Sequence, residues 1–329
     1  RAVELVAAIL FLLGVLWAIA HRAAIDDVVL TLIATLVLRY VLLTITLLYL
    51  RGAMLVPLTR DEDEGLRGPF FRHGLAVMWG KILSLININF ASVVLSLTTS
   101  VALVGIFDAI MRLPRFVKAI MGQVNSVLIP FTAKLYSQDD GERIARLLEK
   151  GTALQMYLFA PALLAAAWYA PEIMAYWLGD VLAAYANWLA LMFGWGILII
   201  FIGVGSAMAV AKVEALHQLN RASLFQLVAN VAIALGLMAW YPIEAFLLAT
   251  FVSTLLIVPY IALVLRREFG FRYARLFVPL LVVLACAVPS AAISALMPTA
   301  PNLGLFLLQG VLWVGLAWVL LFTLGLDRS

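Results

Sequence analysis

The sequence is cut into apolar runs of about 20 residues, the length an α-helix needs to cross the ~30 Å hydrocarbon core of a bilayer. These runs occupy 3–20, 27–50, 74–97, 101–133, 152–170, 182–210, 221–240, 243–264, 275–296 and 302–325. A chain in lipid must satisfy its backbone polar groups internally, so runs of this length repeated along a chain predict a helical bundle. The predicted fold class is therefore all-α, a polytopic transmembrane helix bundle of about ten spanning helices. Composition agrees, with 65% hydrophobic and 12% charged residues, where a soluble domain is about half apolar and a quarter charged. The runs 101–133 and 182–210 are longer than a bilayer requires, and Pro114, Pro130, Gly194, Gly196, Gly203 and Gly205 are the predicted bending points.

The formal net charge of +4 does not point to nucleic acid, because the cations fall in short segments between the runs, where they set membrane orientation. The segments 51–73, 134–151, 211–221 and 265–275 hold Arg51, Arg72, Lys134, Arg146, Lys212, Arg221, Arg266, Arg272 and others. The segments of opposite parity (21–26, 98–100, 171–181, 241–242, 297–301) hold one basic residue, Arg22. The basic set is expected on the cytoplasmic side, together with both ends of the sequence. Trp168, Tyr169, Tyr176, Trp177, Trp240 and Tyr241 gather at the outer boundaries, as interfacial anchors do. The sequence starts with Arg1 and passes at once into an apolar run, so it reads as the continuation of a longer chain, with no cleavable signal peptide. Two polar stretches stand out. The 51–73 stretch mixes both signs and is expected to be a linker with an interfacial segment around Pro69–His73. The 138–150 stretch (QDDGERIARLLEK) puts Ile144, Leu147 and Leu148 on one face and predicts a short charged helix along the inner membrane surface.

The run 101–133 carries Asp108, Arg112, Arg115 and Lys118. A cation at the centre of a spanning helix costs roughly 2.5–3.5 kcal/mol on insertion scales, so these cations face a watery cavity or pair with something anionic. Asp108, Arg112 and Arg115 share a flank at spacings of four and three, which leaves an Asp108–Arg112 pair open beside a ligand role for Arg112. Arg112 lies roughly 16 Å along the helix from Val101, too deep to snorkel, whereas Lys118 is nearer the cytoplasmic end. In 74–97, Lys81, Ser84, Ser92 and (just past the end) Thr99 share one face with Asn87 and Asn89 on its flanks, and in 221–240 Ser223, Gln226 and Asn230 share another. Interhelical hydrogen bonding and ligand binding are both open for these.

Zinc motifs, the nucleophile elbow, phosphate loops and dinucleotide fingerprints are all missing from the sequence, so no cofactor or metal is expected. His21, His73 and His217 lie singly at helix ends, and Cys286 is the one cysteine. The outer acids Asp26, Asp27, Glu172, Asp180 and Glu244 are scattered over short loops, a poor basis for an enzyme site.

The segment GIFDAIMRLPRFVKAIMGQVNSVLIPFTAKLYS (105–137), with the charged 138–150 stretch behind it, resembles the eighth helix of the polysaccharide flippases in the multidrug/oligosaccharidyl-lipid/polysaccharide superfamily. Tyr176-Trp177-Leu178-Gly179, the stretch from Asn220 to Asn230, and Ala249-Thr250-Phe251-Val252-Ser253 resemble later parts of the same pattern. The resemblance covers about 75–270, and outside it the ends agree in hydropathy alone. It implies a two-lobe transporter of which this chain holds helices five to fourteen, the first four being absent. On that division 1–50 are the last two helices of the N-terminal lobe and 51–73 the cytoplasmic linker. Residues 74–264 are then the C-terminal six-helix lobe, and 265–329 an extra helix pair.

The resemblance also implies a function, turning a lipid-linked (polyprenyl diphosphate) oligosaccharide over to the outer leaflet of a bacterial cytoplasmic membrane. The partners would be that sugar diphosphate and membrane lipids. Position by position, Arg112 best matches the family's cavity cations, followed by Arg115 and Lys118, while Asp108 is a departure. Lys81, Asn87, Gln226 and Asn230 complete the expected substrate-binding set. Two other readings stay open. A drug/cation antiporter of the same superfamily would want several intramembrane acids where Asp108 stands alone, and a membrane glycan polymerase, ligase or glycosyltransferase would want a larger outer loop.

Overall fold

The computed structural model describes residues 9, 10, 12–14, 16, 17, 25–54, 60–138, 140–272, 276–296 and 303–324. Most of the 3–20 run, His21, Arg22, residues 55–59, Asp139, Arg275 and the outer loop 297–301 lie outside the described residues. Among the described residues, regular structure is helical throughout: α1 (Ile25–Met54), α2 (Arg60–Thr98), α3 (Val101–Ser137), α4 (Gly141–Trp168), α5 (Ala170–Leu178), α6 (Ala186–Met208), α7 (Val213–Leu237), α8 (Glu244–Phe269), α9 (Phe277–Leu296) and α10 (Leu303–Leu324). Short 3₁₀ segments at Asp180–Tyr185 and Ala209–Ala211 flank α6.

Six of these helices, or parts of them, are long and apolar enough to cross a membrane: Phe70–Thr98, Gly141–Trp168, Leu182–Ala211, Val213–Leu237, Glu244–Phe269 and Leu303–Leu321. Shorter apolar helices cover Ile33–Thr46 and Pro279–Pro289. The chain is a multi-pass membrane protein. Helix α3 has the length but too much polarity to count among the six, which follows from the charges and amides it carries.

The chain divides into two units, Arg1–Pro69 and Phe70–Ser329. Within the first, Thr35, Thr44 and Thr46 of α1 return their hydroxyls to carbonyls one turn back, which keeps them compatible with an apolar helix. Within the second, α6 is the packing centre and touches α3, α4, α5 and α8. It is apolar on every side, as a helix surrounded by others must be. At Gly205 the Leu265 side chain of α8 occupies the space a Cβ would need, so that contact requires glycine. Helices α7 and α8 pair along their length, and α9 and α10 form a hairpin against α4.

Three local expectations change. The 138–150 stretch is not a separate surface helix; it is the first half of α4, which continues through Gly151 into the span without a break. Asp140 caps it by accepting from Arg143 N at 3.1 Å. Beyond the cap nothing in GERIARLLEKGTAL stops a helix, and one glycine is tolerated where tertiary contacts hold it. Val204 and Leu128 supply those contacts around Gly151. The Ile144–Leu148 face does form as expected and is buried. Likewise residues 60–73 are helical and continuous with the following span, and α7 starts at Val213 rather than 221. Both stretches are rich in good helix formers, so charge marks a boundary of the apolar run but not of the helix. Trp168, Tyr176, Trp177, Trp240 and Tyr241 are exposed as anchors should be, whereas Tyr169 is buried against Phe306.

Candidate functional site

Helices α2, α3, α6, α7 and α8 enclose a cavity of about 500 Å³. Its polar lining comes from Arg115 and Lys118 of α3, from Ser84 and Asn87 of α2, from Ser206 of α6, and from Ser223, Gln226 and Thr250 of α7 and α8. Trp195 of α6 gives one apolar wall and Phe107 another. The volume falls in the range of small-molecule sites, and convergent polar groups on apolar walls are their usual chemistry.

The two cations are held differently. Arg115 Nη1 lies 3.2 Å from Asp108 Oδ1, and Nη2 donates to the Ile88 carbonyl at 3.2 Å. Its guanidinium carbon sits 5.7 Å from the Phe107 ring centre. Asp108 Oδ1 also accepts from Ser92 Oγ at 2.9 Å, so α2 braces the carboxylate that braces the arginine. Lys118 has no ion-pair partner among the described residues; its ammonium stands 5.1 Å from the Trp195 ring centre, a cation–π contact. Trp195 is fixed in turn, since its Nε1 and Gln226 Nε2 both donate to Thr254 Oγ1 at 2.9 Å while that hydroxyl donates to Thr250 O at 2.8 Å. The arrangement presents one neutralised and one free cation among hydroxyls: Ser84, Ser206 and Ser223 make no hydrogen bonds to other described side chains or backbone groups.

Of the residues expected from sequence, Asn87, Arg115, Lys118 and Gln226 line the cavity together. Asp108 and Asn230 stand behind it: Asp108 holds Arg115, and Asn230 Nδ2 donates to Asn87 Oδ1 at 2.9 Å. Arg112 and Lys81 are exposed, outside this lining, and without partners among the described residues. The Asp108–Arg112 pair left open by the spacing does not form; Asp108 takes Arg115 instead. Seven residues are nearly two whole turns, and helical side chains lean toward the N-terminus, so the Arg115 stem runs back along Asp108's own meridian. Arg112 is rotated roughly 40° from Asp108 to the other side and roughly 60° from Arg115, onto the exposed flank. Trp195, Thr254 and Ser206 were missed because α6 and α8 are so apolar that a single polar group makes no periodic stripe.

A hollow of about 700 Å³ opens where the start of α4 meets the end of α8, lined by Glu142, Arg146, Glu149, Lys212, Glu268 and Arg272. Its charges balance in sign, and Lys212 Nζ closes on Glu268 Oε2 at 2.7 Å. The hydrogen bond to Glu268 raises the Lys212 pKa above its ordinary value, outweighing partial burial. It is a structural clasp more than a place for a charged ligand.

The site is a cationic cavity inside a multi-helix membrane bundle, and comparison with known proteins gives the chain a family. The family described as "Polysaccharide biosynthesis protein" matches residues 3–187, more than half of the 329. The chain belongs to that family. Its match starts well before residue 75, where the resemblance read from motifs began, and so takes in α1 and α2. Among solved structures, the lipid II flippase MurJ in an inward closed conformation superposes with a TM-score of 0.61 at 14% identity, over 96% of this chain. The chain spans 65% of the length of that flippase. No curated protein matches it.

Proposed function

We propose that the protein is a flippase for a lipid-linked oligosaccharide, carrying a polyprenyl diphosphate sugar across a bacterial cytoplasmic membrane for cell-surface polysaccharide export. The observation that carries this is Lys118: a cation inside the helix bundle with no counter-ion among the described residues, beside Arg115 and a set of serine hydroxyls unengaged by them. A buried unpaired cation is costly, and an anionic ligand relieves the cost. Guanidinium and ammonium groups suit phosphate oxygens, and hydroxyls and amides suit a sugar. Membership of the polysaccharide biosynthesis family and a fold like that of a lipid II flippase favour a transporter over an enzyme.

In this reading Arg115 and Lys118 take the diphosphate, Asp108 positions Arg115, and Asn87, Gln226 and Asn230 form the neutral polar side. Exposed Arg112 and Lys81 extend the cationic path beyond the cavity. Residues 1–50 are the last two helices of one lobe and 74–264 a second six-helix lobe, with 51–73 as the linker and 265–329 an added pair, and transport proceeds by alternating access. The ends of the chain and its basic segments face the cytoplasm. The antiporter alternative loses ground, because Asp108, the one deep acid on α3, is already engaged by Arg115. The test is reconstitution of the complete protein in vesicles with a fluorescent polyprenyl diphosphate glycan. Its appearance in the opposite leaflet supports the reading, and retention in one leaflet contradicts it.

A further inference from the structure

Behind the wall of this cavity, Asn125 of α3 and Gln155 of α4 meet at 7% and 2% exposure. Gln155 Nε2 donates to Asn125 Oδ1 at 2.7 Å and to Met121 O at 3.3 Å. Met121 O can only accept, which fixes the end of the Gln155 amide that faces it. Both N–H groups of Gln155 are thus used, and its carbonyl oxygen Oε1 is left buried without a hydrogen-bond partner. Asn125 Nδ2 donates to no other described residue. Buried amides normally have every such group engaged, so an orphaned carbonyl next to an idle amide N–H asks for a third participant.

Both idle groups converge on one place. A Cβ built on Gly203 would lie 3.0 Å from Asn125 Nδ2 and 3.9 Å from Gln155 Oε1. Gly203 is itself part of the cavity wall, one turn before Ser206. Any side chain at 203 would press on the amides, whereas glycine leaves the donor and the acceptor side by side, closed off from the cavity at this position by backbone with no side chain.

We infer that Asn125 and Gln155, reached past Gly203, form a sugar-recognition subsite for a substituent that donates and accepts together, a ring hydroxyl or an acetamido group. The substituent's O–H or N–H donates to Gln155 Oε1, and its oxygen accepts from Asn125 Nδ2. This rests on the reading of the cavity as a glycan site. It adds a source of selectivity that the cations cannot supply, because sites built to bond a hydroxyl or N–H reject analogues lacking it far better than apolar pockets reject size.

The test measures affinity by calorimetry on the purified full chain, wild type against Gln155→Met and Gly203→Ala. The probes are inorganic pyrophosphate, glucose 1-phosphate, N-acetylglucosamine 1-phosphate, 2-deoxyglucose 1-phosphate and the uncharged methyl glycoside of N-acetylglucosamine. In the wild type, glucose 1-phosphate or N-acetylglucosamine 1-phosphate should bind about tenfold tighter than the 2-deoxy compound, and whichever is tighter names the substituent. Both variants should erase that margin, and Gln155→Met, at a position outside the cavity lining, should leave pyrophosphate binding unchanged. Unchanged sugar selectivity in both variants overturns the subsite, as does a Gln155→Met protein whose only change is a higher melting temperature. If pyrophosphate fails to bind while the methyl glycoside still separates wild type from Gln155→Met, the diphosphate reading falls and the subsite stands. If none of the probes binds, both fall.

Discussion

Arg115 reaches back two helical turns to Asp108, at 3.2 Å, and leaves Arg112 between them without a partner among the described residues. One ion pair thus divides three neighbouring charges into a held arginine facing the cavity and a free arginine on the exposed flank. Asp108 sits at the junction of α2 and α3, since Ser92 donates to the same oxygen. Its task is to aim Arg115 rather than to bind a cation.

The pair is only partly buried, with Asp108 46% and Arg115 30% exposed, so its stabilising value is small. A double-mutant cycle of Asp108→Asn and Arg115→Gln, read by thermal melting of the purified protein, should give a coupling of about 0.5–1 kcal/mol. The corresponding cycle with Arg112→Gln should give none. Coupling of Asp108 to Arg112 instead would reverse the assignment.

Asn230 is 4% exposed and gives its amide to Asn87, joining α7 to α2. Asn230→Leu removes that donor and should lower stability by roughly 1–2 kcal/mol. Its effect on ligand affinity should be weaker than that of Gln226→Leu, because Gln226 lines the cavity and Asn230 does not. Equal losses of affinity at both positions would place Asn230 in the ligand's reach.

Much of this was legible in the sequence, and the reasons it stopped where it did are physical. Hydropathy located the six described helices that are long and apolar enough to cross a membrane, and a spacing of three placed Ser223 and Gln226 together on the cavity side of α7. Hydropathy says nothing about where a helix ends once it leaves the apolar region, which is why α4 begins at Gly141 and α2 at Arg60, ahead of their spans. Angular position alone could not choose between Arg112 and Arg115 for Asp108, because the choice turns on side-chain lean and on the bracing by Ser92 from another helix. The Asn125–Gln155 contact joins residues 30 positions apart, and neither lies in a polar stripe.

The Lys212–Glu268 clasp has a pH signature. Glu268 raises the Lys212 pKa in the folded protein, so the clasp's contribution is complete below the unfolded lysine value of about 10.4 and fades as pH rises through the higher folded value. Melting temperatures of wild type and Lys212→Met should differ at pH 8 and converge toward pH 11.5. A constant difference across that range would mean that Lys212 acts by packing alone.

The central claim is that the free cation of the cavity holds the substrate's phosphate. It is tested most directly by vesicle translocation of a fluorescent polyprenyl diphosphate glycan by the complete protein carrying Lys118→Gln, Lys118→Arg or Lys81→Gln, each matched for folded yield. Lys118 stands alone at 5.1 Å from Trp195, inside the lining, while Lys81 is exposed outside it. Lys118→Gln should slow translocation at least about tenfold, the loss of a charge-assisted phosphate contact. Lys118→Arg should recover part of the rate, and Lys81→Gln should retain most of it. Wild-type translocation by Lys118→Gln at normal folded yield would contradict the account.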